Sequence, residues 1–83
     1  MIEVKIYCPK TNKEYQTSYN IIKETLEENN LNHIIIRIDK TDFIKRRNIG
    51  HLPHIVINNI VTQIGKNLTK HNLRLTLIRM KLL

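Results

Sequence analysis

Apolar and polar positions change period several times along this chain, and each change marks an element. Ile2, Val4 and Ile6 alternate with Glu3, Lys5 and Tyr7, the period of a half-buried strand. Cys8-Pro9-Lys10 follows as a loop, because Pro9 has no amide with which to continue a central strand. Thr11-Asn12-Lys13-Glu14 fits a capping box, a hydroxyl residue followed three positions later by Glu, and predicts a helix starting at Asn12. Tyr15, Tyr19, Ile22 and Leu26 then make one apolar stripe at helical spacing. Asn29-Asn30 is the stop, since Asn tolerates the left-handed conformation.

His33 to Ile38, rich in Ile, reads as a buried strand. Asp39 to Asn48 reads as a short second helix with Thr41 as its cap and Gly50 beyond its end. His54 to Ile57 is a third strand. Asn58-Asn59 is a hairpin turn signal, and Ile60 to Ile64 returns as a fourth strand that Gly65 breaks. From Thr69 to Leu83 the pattern fits two periods: Leu73, Leu75 and Leu77 alternate, while Leu73, Leu77 and Met80 share a helix face. Length, and Arg and Lys near the C-terminal end, favour the helix, with Thr69 as its cap.

The order is therefore βαβαββα. The first two strands, joined by a helix, should be parallel with a right-handed crossover, and the last two form a hairpin. Helices on both faces of a four-stranded mixed sheet make a three-layer α/β domain, one domain over residues 1–83.

Composition narrows the chemistry. A single cysteine, Cys8, excludes an internal disulfide and a multi-thiolate zinc site, and suits a reduced, cytoplasmic setting. His33, His51, His54 and His71 have no compact metal-ligand spacing, so no metal site is expected. No apolar run suits a signal peptide or a membrane span. The net charge of +7, from 14 Lys and Arg against 7 Asp and Glu, favours acidic partners. The basic residues are dispersed, densest in Lys45-Arg46-Arg47 and from Arg74 to Lys81. With few aromatics among them, nucleic-acid binding ranks as a distant alternative. Nothing calls for more than a monomer.

The element order, with a proline opening the third strand, resembles the thioredoxin fold and more closely the glutaredoxin family. Val4-Lys5-Ile6-Tyr7 is similar to that family's leading strand. Leu52-Pro53-His54-Ile55-Val56-Ile57 is similar to its Val-Pro-Gln-Ile-Phe-Ile, and Gln63-Ile64-Gly65 to its last strand end. The resemblance spans nearly the whole chain and implies a thiol site at the start of the first helix. It also implies a cis Leu52–Pro53 bond and glutathione as the ligand.

Two registers place that site differently. In one, Cys8-Pro9-Lys10-Thr11 is a monothiol form of Cys-Pro-x-Cys. In the other, favoured by the capping box, the site falls on Asn12-Lys13-Glu14-Tyr15, and both redox cysteines are missing. Thiolates are stabilised by free amides in a helix's first turn, and a thiol four residues upstream lies up to ~13 Å away in an extended chain. Three functional expectations follow. The first is a binding module with little redox activity and no tightly bound cofactor, holding glutathione or a thiol-containing peptide or protein. It would do so through Lys10, Asn12, Tyr15, Leu52, Pro53, Gly65 and Lys66, with Cys8 a loop residue of no function. The second is a glutathione-dependent monothiol oxidoreductase with Cys8 as catalytic nucleophile. The third is the basic nucleic-acid-binding domain. Whether the chain is an enzyme turns on the first two.

Overall fold

The structure, a computed structural model, describes residues 1–40, 44 and 52–83. Strand β1 (Ile2–Tyr7) leads into helix α1 (Tyr15–Glu28) and strand β2 (His33–Ile38). Strands β3 (His54–Ile57) and β4 (Ile60–Val61), a 3-10 turn (Ile64–Asn67) and helix α2 (Lys70–Arg79) complete the chain. The sheet order is β2-β1-β3-β4. β1 pairs parallel with β2, from Ile2 opposite His33 to Tyr7 opposite Ile38. β3 pairs antiparallel with both β1 and β4. No helix among the described residues is long and apolar enough to cross a membrane.

Pleating assigns the side chains of β1 to two layers. Ile2, Val4, Ile6 and Cys8 face α1 and α2, where they pack with Ile22, Leu26, Leu73 and Leu77. Tyr7 faces the other way and packs with Val56 and Ile44, with Ile38 and Leu52 at the margin. The Ile44 amide donates to the Lys40 carbonyl at 3.2 Å. The rest of the expected second helix, with Thr41, the Lys45-Arg46-Arg47 run, Gly50 and His51, lies outside the described residues.

Several local expectations hold. α1 gives way at Asn29, and Asn30 takes a φ of 55°. Asn58 and Asn59 both have positive φ, at 49° and 65°, as a two-residue hairpin loop matched to strand twist requires. The Thr69 hydroxyl accepts from the Asn72 amide at 3.0 Å and opens α2.

Four expectations need correction. α1 begins at Tyr15, not Asn12, and its N-cap residue Glu14 makes no side-chain cap bond. The Asn12 amide donates to the Pro9 carbonyl at 3.0 Å, closing a turn, and Asn12 Oδ1 accepts from the Glu14 amide at 2.8 Å. That short-range bond takes the amide a capping box would have given to Thr11. Second, β2 is an edge strand and only partly covered, with Ile34 47% exposed. Third, β4 stops at Val61 rather than Ile64. The buried Thr62 turns its hydroxyl (2.7 Å) and its amide (3.1 Å) onto the Ile55 carbonyl, and Ile64 and Gly65 enter the 3-10 turn. Fourth, α2 spans ten residues, ending at Arg79 instead of running on to Leu83.

Leu26 has no exposed surface between α1 and the sheet. Leu26→Ala should lower the unfolding free energy by about 2–5 kcal/mol. Ile34→Ala on the open edge should lower it by less than about 1 kcal/mol. Urea denaturation of the two variants checks this, and equal losses would contradict the layering.

Candidate functional site

The site is built where β1 ends. Cys8 extends the pairing of β1 with β2 by one residue, its amide donating to the Ile38 carbonyl at 2.9 Å. It keeps the phase of Ile2, Val4 and Ile6, so its side chain enters the main core with no exposed surface. The turn over Pro9 to Asn12 then folds the chain back, so the path from Cys8 to α1 is not extended.

Arg37 fixes this corner. It stands beside Ile6 on β2, on the same face of the sheet as the helices. Its Nε donates to the Cys8 carbonyl at 3.3 Å and its Nη2 to the Pro9 carbonyl at 3.0 Å. Its guanidinium carbon lies 3.9 Å from the centre of the Tyr15 ring. Tyr15, the first residue of α1, also packs beside Tyr19, with ring centres 5.9 Å apart. One half-buried cation thereby ties the β1 end to the opening of α1 through two carbonyls and an aromatic face. Sequence reasoning passed over Arg37. The signal was a lone charge at an inward-phase position of an Ile-rich strand.

Pro53 closes the other side. Tyr7 pairs with His54 in the β1–β3 ladder, and continuing that register by one residue sets Cys8 across from Pro53. The Leu52–Pro53 peptide bond is cis and Pro53 is buried. Leu52 is half-buried and packs with Tyr7, Ile44 and Val56, on the sheet face opposite Cys8. The rings of Tyr7 and His54 meet edge to face with centres 5.8 Å apart.

The structure gathers only part of the expected set. Cys8 and Tyr15 share the main core cluster, the β1–β3 register carried on by one residue sets Pro53 opposite Cys8, and Asn12 is spent on the turn before α1. Lys10 is exposed and leans toward Asp39 at 3.9 Å, a pair of small energetic weight. Gly65 and Lys66 belong to the 3-10 turn between β4 and α2. No hydrogen bond or ion pair among the described residues connects that turn to the Cys8 corner.

The electrostatics of the corner oppose thiolate formation. Burial pushes the Cys8 thiol above its ordinary value of 9.0. Arg37 pulls it down, Glu14 adds to the rise, and the net direction is upward. Burial likewise raises the Tyr15 phenol, again partly offset by Arg37. A thiol of this kind is mostly protonated at neutral pH, and nucleophilic exchange requires the thiolate.

The upward shift of the Cys8 thiol makes stability depend on pH. Below pH 9.0 the thiol is protonated in both folded and unfolded chains. Above it the unfolded chain releases the proton while the folded chain retains it, so stability falls as pH rises past that value. Denaturation at several pH values from 7 to 10 should show a steeper decline in the native sequence than in Cys8→Ala. Parallel curves would mean that the thiol is not shielded.

No curated protein matches the chain. A family model described as "Thioredoxin domain" matches residues 2–77. That span runs from the first residue of β1 to Leu77 in α2 and takes in the sheet, the Cys8 corner and the prolyl strand. On this match, over nearly the full length and with the βαβ…ββα order seen in the structure, the chain belongs to the thioredoxin-domain family.

Proposed function

We propose that this thioredoxin-family domain is a binding module of glutaredoxin type. Its corner between the β1 end, the α1 opening and Pro53 takes glutathione or an extended thiol-bearing peptide, and it has little redox activity of its own. The observation that carries this reading is the state of Cys8: the chain's only thiol lies in the right corner but is wholly buried, with its ionisation disfavoured. With one cysteine an intramolecular dithiol cycle has no second sulfur.

Binding asks less of the same corner. The chain just before β3 offers backbone at Leu52 to an extended ligand, in the manner of strand addition. Lys10 is exposed beside the turn and can meet a ligand carboxylate, while Tyr15 gives the groove an aromatic wall. Asn12 shapes the turn that carries Lys10. Gly65 and Lys66 would take part only through a ligand long enough to reach the 3-10 turn.

One observation favours the second reading, a monothiol oxidoreductase. Arg37 lies close enough to Cys8 to lower its pKa, and local opening would relieve the burial that opposes it. In that reaction the Cys8 thiolate attacks the glutathione sulfur of a mixed disulfide, releasing the substrate thiol and leaving Cys8 joined to glutathione. A second glutathione thiolate then attacks that bond, giving glutathione disulfide and restoring Cys8.

Two measurements decide between them. Cys8 in the native chain should react with an aromatic disulfide reagent on the order of 100-fold more slowly than in the urea-unfolded chain, because access requires opening. Glutathione should shift amide NMR signals around Lys10, Tyr15 and Leu52 without any turnover of a glutathione mixed disulfide. Turnover that Cys8→Ser abolishes would establish the enzyme instead. Absence of both turnover and shifts would sink the binding reading.

A further inference from the structure

A second surface, away from the Cys8 corner, has features that belong together. β4 is the outer strand of the sheet, and Ile60 and Val61 are 55% and 54% exposed there. Between β4, the 3-10 turn and α2 runs an open groove of about 420 Å³, lined among others by Ile60, Val61, Asn72, Leu75, Arg79 and Met80. The backbone adds directed groups. Ile57 and Ile60 flank the two-residue loop as a hydrogen-bonded pair, and the Thr62 amide bonds the Ile55 carbonyl at 3.1 Å. Antiparallel ladders alternate, so Val61 between them holds the non-bonded position. Its amide and carbonyl point off the edge of the sheet, where an added strand would pair.

Charge selects the occupant. All 7 Asp and Glu lie in residues 1–42, whereas eight of the 14 Lys and Arg lie in residues 43–83, which contain no acid at all. On α2, Lys70 is bound by Glu28 (2.7 Å) and Glu24 (3.6 Å) of α1. Lys66, Arg74, Arg79 and Lys81 have no carboxylate partner among the described residues. A second copy of this chain would bring the same positive edge against it. Nucleic acid finds aliphatic side chains and no stacking aromatic in the groove. A lipid surface leaves the outward Val61 amide and carbonyl without partners.

We propose that the β4 edge binds an extended acidic segment of another protein. The segment adds as a fifth strand that bonds the Val61 backbone. Its side chains on the α2 face enter the groove, apolar ones beside Ile60, Leu75 and Met80 and carboxylates beside Arg79 and the cations on the bordering turn and helix end. Strand pleating turns every second side chain toward α2, so apolar and acidic residues must share those positions, with small polar residues between them. The surface is separate from the Cys8 corner, and binding here does not depend on the glutathione reading.

The test uses the full chain and an acetylated, amidated Val/Glu peptide with serine spacers, Val-Ser-Glu-Ser-Val-Ser, which puts Val and Glu on one face, followed by amide NMR. Signals of Val61, Gln63, Leu75 and Arg79 should shift, with affinity falling as salt is raised. Arg79→Glu should weaken binding roughly fivefold by reversing one surface charge contact. Val61→Pro, tolerated on an edge whose amide faces outward, should weaken it roughly tenfold by deleting one hydrogen bond. Lys23→Glu on α1 should leave it unchanged. The proposal fails if the Val/Glu peptide shifts nothing at millimolar concentration, or if a Val/Lys peptide binds equally well. It also fails if these residues respond only to a thymidine oligonucleotide or to phosphatidylglycerol vesicles.

Discussion

Arg37 is the half-buried cation on which the end of β1 and the opening of α1 depend. A charge withdrawn from water costs several kcal/mol unless its donors are satisfied. Arg37 meets that demand through the carbonyls of Cys8 and Pro9 and the face of Tyr15, with no carboxylate partner among the described residues. Hydrogen bonds to a charged group contribute about 1.5–3 kcal/mol each, and a guanidinium on an aromatic face adds about 0.5–2 kcal/mol. A lysine would not reproduce the arrangement, because only the planar fork can serve two carbonyls while lying against a ring.

The same cation makes the chemistry of the corner a contest between two opposed effects. Arg37 favours a negative sulfur at Cys8, and burial among Ile6, Ile22 and their neighbours disfavours it. Burial prevails, so the one thiol behaves as a small apolar core group. The prolyl strand lies beside the leading strand, and the chain's single sulfur sits buried where β1 ends.

The molecule is also divided electrically. The acids of α1, Glu24 and Glu28, hold Lys70 and fasten the two helices together at their ends. Beyond that clasp the β4–α2 edge has cations and aliphatic side chains with no ion pair to an acid among the described residues. A net charge of +7 spread evenly would describe a solvated surface. Four cations without a carboxylate partner among the described residues, Lys66, Arg74, Arg79 and Lys81, next to an open sheet edge describe a surface with a preferred sign of partner.

Local chemistry was legible in the residues themselves. The hairpin at Asn58-Asn59, the cap at Thr69, the stop at Asn29-Asn30 and the bounds of His33–Ile38 follow from preferences acting over a few bonds, and the structure has each of them. The proline strand and the element order were enough to indicate the family. Where two local preferences competed, as Thr11 and Asn12 did for one amide, the pattern chose the wrong start for α1. The rest belonged to contacts distant in sequence: the edge position of β2, the early end of β4 at Thr62, and the meeting of Arg37 with Cys8, Pro9 and Tyr15. Capping and turn propensities are properties of a short segment. Whether a thiol is shielded, or a cation satisfied, depends on which segments the sheet brings side by side, and only the folded chain decides that.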